Sequence, residues 1–534
     1  MPTLIQVLEI TAARGGSRAV FGRRCAHSLL ERGDAMTNPC RFTCSSTFGV
    51  LIGLSLMMGA ACGGSAPEPE SHPELAGSSD RPNMIFVLVD DMRWDDFGAA
   101  GHPFAETPNI DRLANEGAMF LNAFAATPLC SPSRGTFLTG LYAHTSGIID
   151  NVERGPASHE LATFPQALQR AGYETAFIGK WHMGRDDTPR PGWDYWLGMP
   201  GQGQLFDPEL NENGERKVFE GYITDILSEK AVEFIERDRD TPFLIYLPHK
   251  AIHPDLTVRG PGGGSALVSG GFLAAPRHEG RYGDAEIPRP VSYGVTPVDK
   301  PALMREAEGL PPLGPESVTP DETIRDRIEM LLSIDDGVGA MLEALDRTGQ
   351  LDNTIVMVAG DHGYFYGEHG LNAERRLAYD ESARIPVVAR YPNLIPAGTR
   401  PDGLAVSIDL APTLLELGGA EIDTGLQGRS WVPLLEGAQP ADWRASVLIE
   451  HHSDPESYLG RSALRRAMYM GYKAVRTETH KYIRYTDLED MDELYDLEAD
   501  PYEMQNLIDD PGAQETLQAL QAELDRLLEE TGAP

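Results

Sequence analysis

Four mainly apolar stretches of strand length constrain the fold of this 534-residue chain more than any other feature. They cover residues 84–89, 243–247, 354–359 and 385–390. Strands without polar alternation are typical of a sheet that is covered on both faces. Residues 323–347 instead carry apolar side chains at helical spacing, and Gly349 follows as a stop signal. The alternation of strands with helices predicts a doubly wound α/β sheet.

Polar residues follow two of these strands directly. Asp90 and Asp91 come after the first strand, and Asp361 and His362 come shortly after the third. Open α/β sheets bind ligands at the carboxyl ends of their strands, and adjacent carboxylates repel one another unless a cation joins them. An Asp-Asp pair by itself is more often a turn or a helix cap. If the four side chains meet, their oxygen-rich composition predicts a hard divalent cation, either Ca²⁺ or Mg²⁺.

A second group of residues brings positive charge to strand ends. A turn and strand at residues 172–179 precedes Lys180 and His182, and the strand at 243–247 precedes three further basic or imidazole side chains. The full set is Arg134, Lys180, His182, His249, Lys250, His253 and Arg375. Such side chains could be solvated surface, but together they fit a tetrahedral oxyanion whose charge must be held during transfer.

The net charge of the chain limits its partners. It is −36, from 45 basic and 81 acidic residues, and this excess repels nucleic acid and anionic membrane surfaces. We therefore expect no nucleic-acid binding. An anionic substrate would need a local basic pocket, which the second group of residues could provide.

Cysteine usage singles out one position in the body of the chain. Cys130 is the only cysteine after residue 62, and it precedes Pro132, Arg134 and a Leu-Thr-Gly sequence at residues 138–140. A lone cysteine is usually an inert core residue. Residues 131–140 are predicted to open a helix, so that Cys130 lies where backbone N–H groups and the helix dipole favour developing negative charge.

The other four cysteines lie near the amino terminus. Residues 36–62 resemble a bacterial lipoprotein export signal, with Met36 as a possible true start and an apolar segment at 48–58. Residues 59–62 resemble a lipobox, which predicts a lipid anchor on Cys62 and a location in the periplasm or cell envelope. A simple cleaved signal, giving a secreted protein, is the alternative. Residues 1–35 are a mis-assigned start or a disordered tail, and residues 63–82 form a flexible linker.

The ordered motifs of the body resemble the formylglycine-dependent type I sulfatase family. The resemblance extends from residue 82 to about residue 510 and is carried by residues 82–91, 107–113, 130–134, 179–184, 249–253, 360–363, 367–371 and 493–501. It implies an alkaline-phosphatase-like α/β sandwich with a large mixed central sheet and a smaller C-terminal antiparallel sheet domain. We accordingly place the catalytic domain at residues 83–436 and a small α+β domain at 437–534. In the latter we expect strands at 446–450, 473–477 and 481–485 and a helix from about 513 to 530.

The family resemblance also assigns roles position by position. A maturation enzyme would oxidise Cys130 to formylglycine, whose hydrate attacks sulfur through one hydroxyl and later expels sulfate through the other. Asp90, Asp91, Cys130, Asp361 and His362 would hold the cation, preferably Ca²⁺ with Mg²⁺ as the alternative. Arg134 would orient the nucleophile; Lys180, His182 and His253 would hold the sulfate. His253 is also the predicted acid and His182 the predicted base. Arg375 would contact the substrate in place of the usual lysine, and Lys250 and His249 are weaker substrate-binding candidates.

Two features depart from the family pattern. Arg375 stands where a lysine is usual, which keeps the charge but changes reach and geometry. Residues 259–320 are rich in proline and glycine, and residues 259–271 look like an insertion. A loop of this length predicts a cover over part of the site.

The substrate is the least determined property. Residues 192–208 resemble bacterial relatives of N-acetylglucosamine-6-sulfatase, so a sulfated saccharide is the first expectation and a small sulfate ester such as an aryl sulfate the second. The same fold also serves phosphatases and phosphonate monoester hydrolases. A lipid-anchored protein that binds sulfated glycans without turnover is the alternative outside enzymes.

Overall fold

The computed structural model describes residues 81–152, 155–263, 265–307, 310–423, 425–453 and 465–534. The predictions for residues 1–35 and 36–62, and nearly all of the linker at 63–82, lie outside the described residues. Within the described part of the chain, no helix has both the length and the apolar character needed to cross a membrane.

A nine-stranded mixed sheet is the centre of the fold in the described residues, with strand order β2-β10-β9-β1-β8-β4-β5-β6-β7. Its strands are β1 (Asn83–Val89), β2 (Ala118–Met119), β4 (Glu174–Gly179), β5 (Tyr195–Gly198), β6 (Glu209–Glu212), β7 (Glu215–Val218), β8 (Phe243–Pro248), β9 (Thr354–Gly360) and β10 (Val387–Arg390). Two short strands, β3 (Ala123–Phe124) and β11 (Ala405–Val406), pair separately. The predicted strands at 84–89, 243–247, 354–359 and 385–390 are confirmed, the last beginning at Val387 because Pro386 has no N–H to donate.

Helices cover both faces of this sheet. The helices of the described residues, including those of the C-terminal region, are α1 (Pro108–Glu116), α2 (Cys130–Thr139), α3 (Ala143–Ser146), α4 (Gly155–Glu160), α5 (Phe164–Arg170), α6 (Ile223–Ile235), α7 (Pro301–Met304), α8 (Asp321–Arg347), α9 (Asp380–Ala383), α10 (Leu410–Leu417), α11 (Val432–Leu435), α12 (Arg465–Met468) and α13 (Gln514–Thr531). Alternate residues of β1 point to opposite layers: Val87 packs in the core with α1, α6 and α8, and Phe86 packs in the core with α2, α5 and α10. The predicted α/β sandwich with a mixed central sheet is confirmed.

Four neighbouring strands determine where a site can form. β9, β1, β8 and β4 lie side by side and run parallel to one another. Their carboxyl ends therefore meet at one edge of the sheet. Asp361, Asp90, His249 and Lys180 follow these four ends, so residues that are far apart in sequence converge there.

A second sheet follows the nine-stranded one. Strands β12 (Ser446–His451), β13 (Tyr472–Thr477), β14 (His480–Tyr485) and β15 (Glu493–Asp496) form a four-stranded antiparallel sheet. Leucines of α13 pack against it in a shared core. The smaller antiparallel sheet and its helix agree with the sequence prediction. The boundary at residue 437 stays a prediction.

The glycine-rich segment 259–320 packs into the body of the protein. Phe272 is buried in the core that also contains α6 and α8, and the carbonyl of Leu267 accepts a hydrogen bond of 3.1 Å from the Tyr364 hydroxyl. Tyr282 packs against Ile328 and Leu332 of α8. This part of the segment therefore supports the helical layer.

Gly179, the last residue of β4, is a position where a side chain cannot fit. Its φ is +138°, and an added Cβ would lie 2.0 Å from the carbonyl oxygen of Pro248 in β8. We expect Gly179→Ala to lower the free energy of unfolding by about 2–4 kcal/mol, because both backbone strain and separation of the two strands oppose it. Chemical denaturation measures the change.

Gly349→Ala is the matched control, because its φ is +71° and nothing lies within 4 Å of an added Cβ. Only backbone strain of about 1 kcal/mol is expected there. Equal losses in the two variants would contradict the steric explanation.

Candidate active site

Cys130 is the first residue of α2 and lies buried at the edge of the sheet. Hydrogen bonds of Ser131 and Ser133, which follow it, fix the start of the helix. The backbone N–H of Ser131 donates to Asn151 Oδ1 at 3.0 Å, and the Ser131 hydroxyl donates to the carbonyl of His182. The Ser133 hydroxyl donates to the carbonyl of Asp361. The amino end of α2 is thus held against the ends of β4 and β9.

Four of the five predicted metal ligands meet in one cluster. Asp90, Asp91, Cys130 and His362 each offer a ligand atom, and these atoms lie within 4.8 Å of one another. Asp90 Oδ1 and both carboxylate oxygens of Asp91 are buried without a hydrogen-bond partner among the described residues. Unsatisfied buried carboxylate oxygens are costly unless a cation or donor joins them. This oxygen-rich donor set fits a hard divalent cation.

Asp361 lies beside this cluster with both of its oxygens engaged. Oδ2 accepts a hydrogen bond of 2.8 Å from Arg134 Nη2, and Oδ1 accepts one of 2.9 Å from the backbone N–H of Asp91. Oδ1 also lies 3.7 Å from His362 Nε2. A carboxylate oxygen has more than one lone pair, so these bonds leave the predicted role of Asp361 as a metal ligand open.

The negative charge of the cluster changes the pKa of His362. Burial by itself lowers its pKa, but the charges of Asp361 and Cys130 outweigh burial and raise the pKa to about 9. Its Nε2 lies 3.3 Å from Cys130 Sγ and 3.4 Å from Asp91 Oδ1. The cluster therefore favours an additional positive charge at this place.

Three buried cations surround the acidic cluster. Lys180 Nζ forms an ion pair with Asp90 Oδ2. Arg134 donates to the carbonyl of Lys180 at 2.8 Å, and its Nη2 lies 3.4 Å from Asp90 Oδ2. Arg375 Nη2 lies 3.2 Å from Asp91 Oδ2. Although burial raises the pKa of Asp90, the nearby Lys180 and Arg134 hold it well below its usual range, so Asp90 is ionised.

Four further predicted residues follow the ends of β4 and β8. Burial and the charge of Lys180 lower the pKa values of His182 and His253 well below 6.5. Burial lowers the pKa of His249 to about 3. Burial and the charge of Lys180 lower the pKa of Lys250 to about 7. Without a bound anion, the three imidazoles are therefore neutral at pH 7.

The geometry separates the roles of these residues. His253 Nδ1 lies 2.9 Å from the carbonyl of Pro254, which fixes one side of the ring. Lys250 Nζ donates to the same carbonyl at 2.8 Å. His182 Nδ1 is buried without a hydrogen-bond partner among the described residues. The backbone N–H of His249 donates to the carbonyl of Leu88 at 2.8 Å, and its Nδ1 is likewise buried without a hydrogen-bond partner among the described residues.

A cavity of about 800 Å³ lies beside His182. Its walls include Asn151, Arg185, Gln202, Gln204, Glu209 and Thr257. No described residue of the 259–320 segment lines it, so the expected cover over the site is not seen at this cavity. Sequence reasoning did not identify Asn151 or Thr257. No local pattern marks Asn151, because its contact with Ser131 joins residues 20 positions apart.

The fold occurs in solved structures of known hydrolases. A structure in complex with its substrate D-glucosamine-2-N,6-O-disulfate is 30% identical, covers 85% of this chain and 98% of its own, and has a TM-score of 0.72. Phosphonate monoester hydrolase of Agrobacterium radiobacter is 22% identical, with a TM-score of 0.66 over 84% of this chain and 96% of its own. The fold and the site at its sheet edge place the protein in the alkaline-phosphatase-like class of hydrolases.

The sequence comparisons identify the family within that class. Residues 82–420 match the Sulfatase family, and residues 367–530 match the C-terminal region of N-sulphoglucosamine sulphohydrolase. N-acetylglucosamine-6-O-sulfatase of Bacteroides thetaiotaomicron is 32% identical, over 84% of this chain and 86% of the relative. N-acetylglucosamine-6-sulfatase of Homo sapiens is 28% identical, over 81% of this chain and 82% of the relative. The chain belongs to the sulfatase family and is a sulfuric ester hydrolase.

Proposed function

We propose that this enzyme hydrolyses sulfate monoesters of sugars, with 6-O-sulfated N-acetylglucosamine as the first candidate substrate. The observation that carries the proposal is the cavity beside His182, which is lined by amide and hydroxyl side chains. One of them, Asn151, accepts a hydrogen bond from the backbone N–H of Ser131, next to Cys130. Such groups suit sugar hydroxyls. The names of the bacterial and human relatives and the ligand of the similar structure support the same substrate class.

Within this proposal the residues divide into two sets. Cys130, oxidised to formylglycine by a maturation enzyme, would supply the nucleophile. Asp90, Asp91 and His362 would hold a divalent cation, Ca²⁺ by preference and Mg²⁺ as the alternative, which would screen the sulfate and acidify the attacking group. Arg134 orients the end of α2 through its bonds to Asp361 and to the carbonyl of Lys180.

The remaining residues act on the sulfate and the leaving group. Lys180 and Arg375 would bind sulfate oxygens, because both lie buried beside the carboxylates of the cluster. His253 would protonate the leaving oxygen, and His182 would accept a proton during release of sulfate. Both imidazoles are neutral in the free site. A bound sulfate ester raises their pKa values by supplying negative charge, which would allow His253 to become the acid only when substrate is present.

The amino-terminal prediction completes the proposal. Residues 36–62 would direct export, with Cys62 as the lipid-anchored residue and secretion as the alternative. The amino-terminal pattern of the sequence supports this location. The net charge of −36 mildly favours small substrates or chain ends over the interior of an anionic polymer.

Arg375 allows a test of the sulfate-binding role. We expect Arg375→Met to lower kcat/KM for a sulfated sugar by about 10²-fold or more, because it removes a buried cation beside the sulfate position. Arg375→Lys restores the residue that the family usually has, and is expected to stay within about tenfold of the wild type. Steady-state kinetics measure both.

Arg376→Lys at the neighbouring buried position is the control for general disturbance of this loop. If Arg375→Met and Arg375→Lys lose activity equally, the requirement is for the guanidinium shape rather than for positive charge at sulfate.

Two measurements test the proposed function itself. Mass spectrometry of the peptide containing Cys130, from protein made with a maturation system, is expected to find the aldehyde. The same protein is then assayed with 6-O-sulfated N-acetylglucosamine, 4-nitrophenyl sulfate and 4-nitrophenyl phosphate, and the sugar ester is expected to have the highest kcat/KM. Preference for the phosphate ester would favour the phosphatase alternative. An aldehyde-bearing protein that binds sulfated sugars without releasing sulfate would favour the binding protein.

A further inference from the structure

Two separate segments contribute to the walls of the cavity beside His182. One is the turn between β5 and β6, which contributes Gln202 and Gln204. The other follows β8 and contributes Leu256 and Thr257. The two segments are about 50 residues apart in sequence, so a tertiary contact must set the distance between them.

Asp255 makes that contact. Its side chain is buried, and Oδ2 accepts a hydrogen bond of 2.9 Å from the backbone N–H of Leu205, directly after Gln204. Oδ1 accepts two bonds from Thr257, one from the backbone N–H at 2.8 Å and one from the hydroxyl at 2.6 Å. The Asp255 carboxylate therefore joins the two walls. Asp255 itself does not line the cavity, but its neighbours Leu256 and Thr257 do.

The glycine-rich segment supports Asp255 from behind. The backbone N–H of Asp255 donates to the carbonyl of Gly271 at 2.7 Å. An added Cβ at Gly271 would lie 2.6 Å from the carbonyl oxygen of Ala266, so the close approach requires glycine. Phe272 anchors this part of the segment in the core. The segment thus fixes the backbone from which Asp255 bonds to the wall that contains Gln202 and Gln204.

We propose that Asp255 is a positioning residue for the sugar, which fixes the spacing of the two cavity walls and thereby sets KM for sulfated saccharides. This inference rests on the proposed function. Asp255 has no part in the chemistry at sulfur, where the cations of the sheet edge act. A substrate with a smaller leaving group, bound chiefly through its sulfate, depends less on the walls.

Asp255→Asn tests the proposal with little change of shape. It places an NH₂ group against an N–H donor on one of the two walls, so that one bond is replaced by a repulsion. We expect KM for 6-O-sulfated N-acetylglucosamine to rise on the order of tenfold, with kcat within about twofold of the wild type. KM for 4-nitrophenyl sulfate is expected to change by less than about twofold.

Gly271→Ala is the second variant, because its added Cβ would lie 2.6 Å from the carbonyl oxygen of Ala266 and so disturb the backbone that holds Asp255, while Gly271 does not line the cavity. A smaller rise of KM in the same direction is expected, and this variant carries the test if Asp255→Asn unfolds in a thermal melt. Asp510→Asn is the matched control, since Asp510 is exposed in the C-terminal region and its Oδ1 accepts a bond of 2.7 Å from the backbone N–H of Gly512.

The outcomes separate this inference from the proposed function. A fall of kcat for both esters would mean that Asp255 acts through the neighbouring Lys250 and His253, and it would overturn the proposal, as would an unchanged KM in both variants. If the aryl ester is not turned over, competitive inhibition by N-acetylglucosamine replaces it, and an unchanged inhibition constant contradicts the positioning role. Wild-type enzyme that hydrolyses neither sulfate ester would instead remove the proposed function.

Discussion

Replacing Cys130 with alanine is expected to lower kcat/KM for sulfate esters by about 10⁴-fold or more, which is the scale seen when a covalent nucleophile is removed. Cys130 lies at the amino end of α2 with His362 Nε2 3.3 Å from its Sγ, and the described residues contain no other cysteine. Without this side chain, no formylglycine can form. Steady-state assays of variant and wild type from the same maturation-competent host measure the loss.

The fold is expected to survive this change. Cys130 is small, so alanine removes a single buried atom, at a cost of about 1–2 kcal/mol. Thr139→Ala at the other end of α2 is the control, because its hydroxyl bonds only to the carbonyl of Gly135 at 2.7 Å within the helix and to a neighbouring N–H. If Cys130→Ala keeps activity within tenfold of the wild type, the nucleophile lies elsewhere.

Loss of a carboxylate from the acidic cluster is expected to have the next largest effect. Asp91→Asn should lower kcat/KM by about 10³-fold, because the proposed cation would lose a charged ligand and screen sulfate less well. The backbone of Asp91 has a φ of +63°, which asparagine tolerates well, so the local conformation is preserved. Arg327 continues to donate to the Asp91 carbonyl at 2.6 Å.

Metal content and thermal stability give readouts besides activity. The chelated wild type is expected to melt at a higher temperature when Ca²⁺ is added, since a ligand that binds only the folded state stabilises it. Asp91→Asn should lose most of that increase and hold less metal by elemental analysis.

Asp335→Asn controls for the loss of a buried carboxylate elsewhere. Asp335 accepts bonds from the backbone N–H groups of Asn109 and Ile110 at the start of α1. The Asp335→Asn variant should melt at a lower temperature than the wild type, but Ca²⁺ should raise its melting temperature by the same amount. Equal metal responses of Asp91→Asn and the wild type would show that Asp91 is not a ligand.

Local sequence was sufficient for the elements and for most of the site. The apolar stretch at 84–89 forms β1, and the helical pattern at 323–347 forms α8. A strand buried on both faces is apolar throughout, whereas a helix buried on one face has apolar residues at every third or fourth position, so the two patterns differ in the sequence. The residues that follow parallel strand ends were expected to meet, and Asp90, Asp91 and His362 do so with Cys130.

Contacts between residues that are far apart in the sequence could not be predicted from local patterns. The two oxygens of Asp361 are engaged by Arg134 and by the backbone of Asp91, an arrangement that no spacing indicates. Nor could the sequence show whether the glycine-rich segment 259–320 covers the site or supports the helical layer, because glycine permits close approach of the backbone in either place.

The sequence by itself determined the main strands, the helices and the chemistry collected at the strand ends, since the hydrophobic period and the residues that follow each strand are local properties. Only the tertiary structure decided what surrounds that chemistry: the cavity beside His182, the bond from Ser131 to Asn151 and the joining of two walls by Asp255. These depend on hydrogen bonds between segments that are brought together only when the core packs, and no local pattern records them.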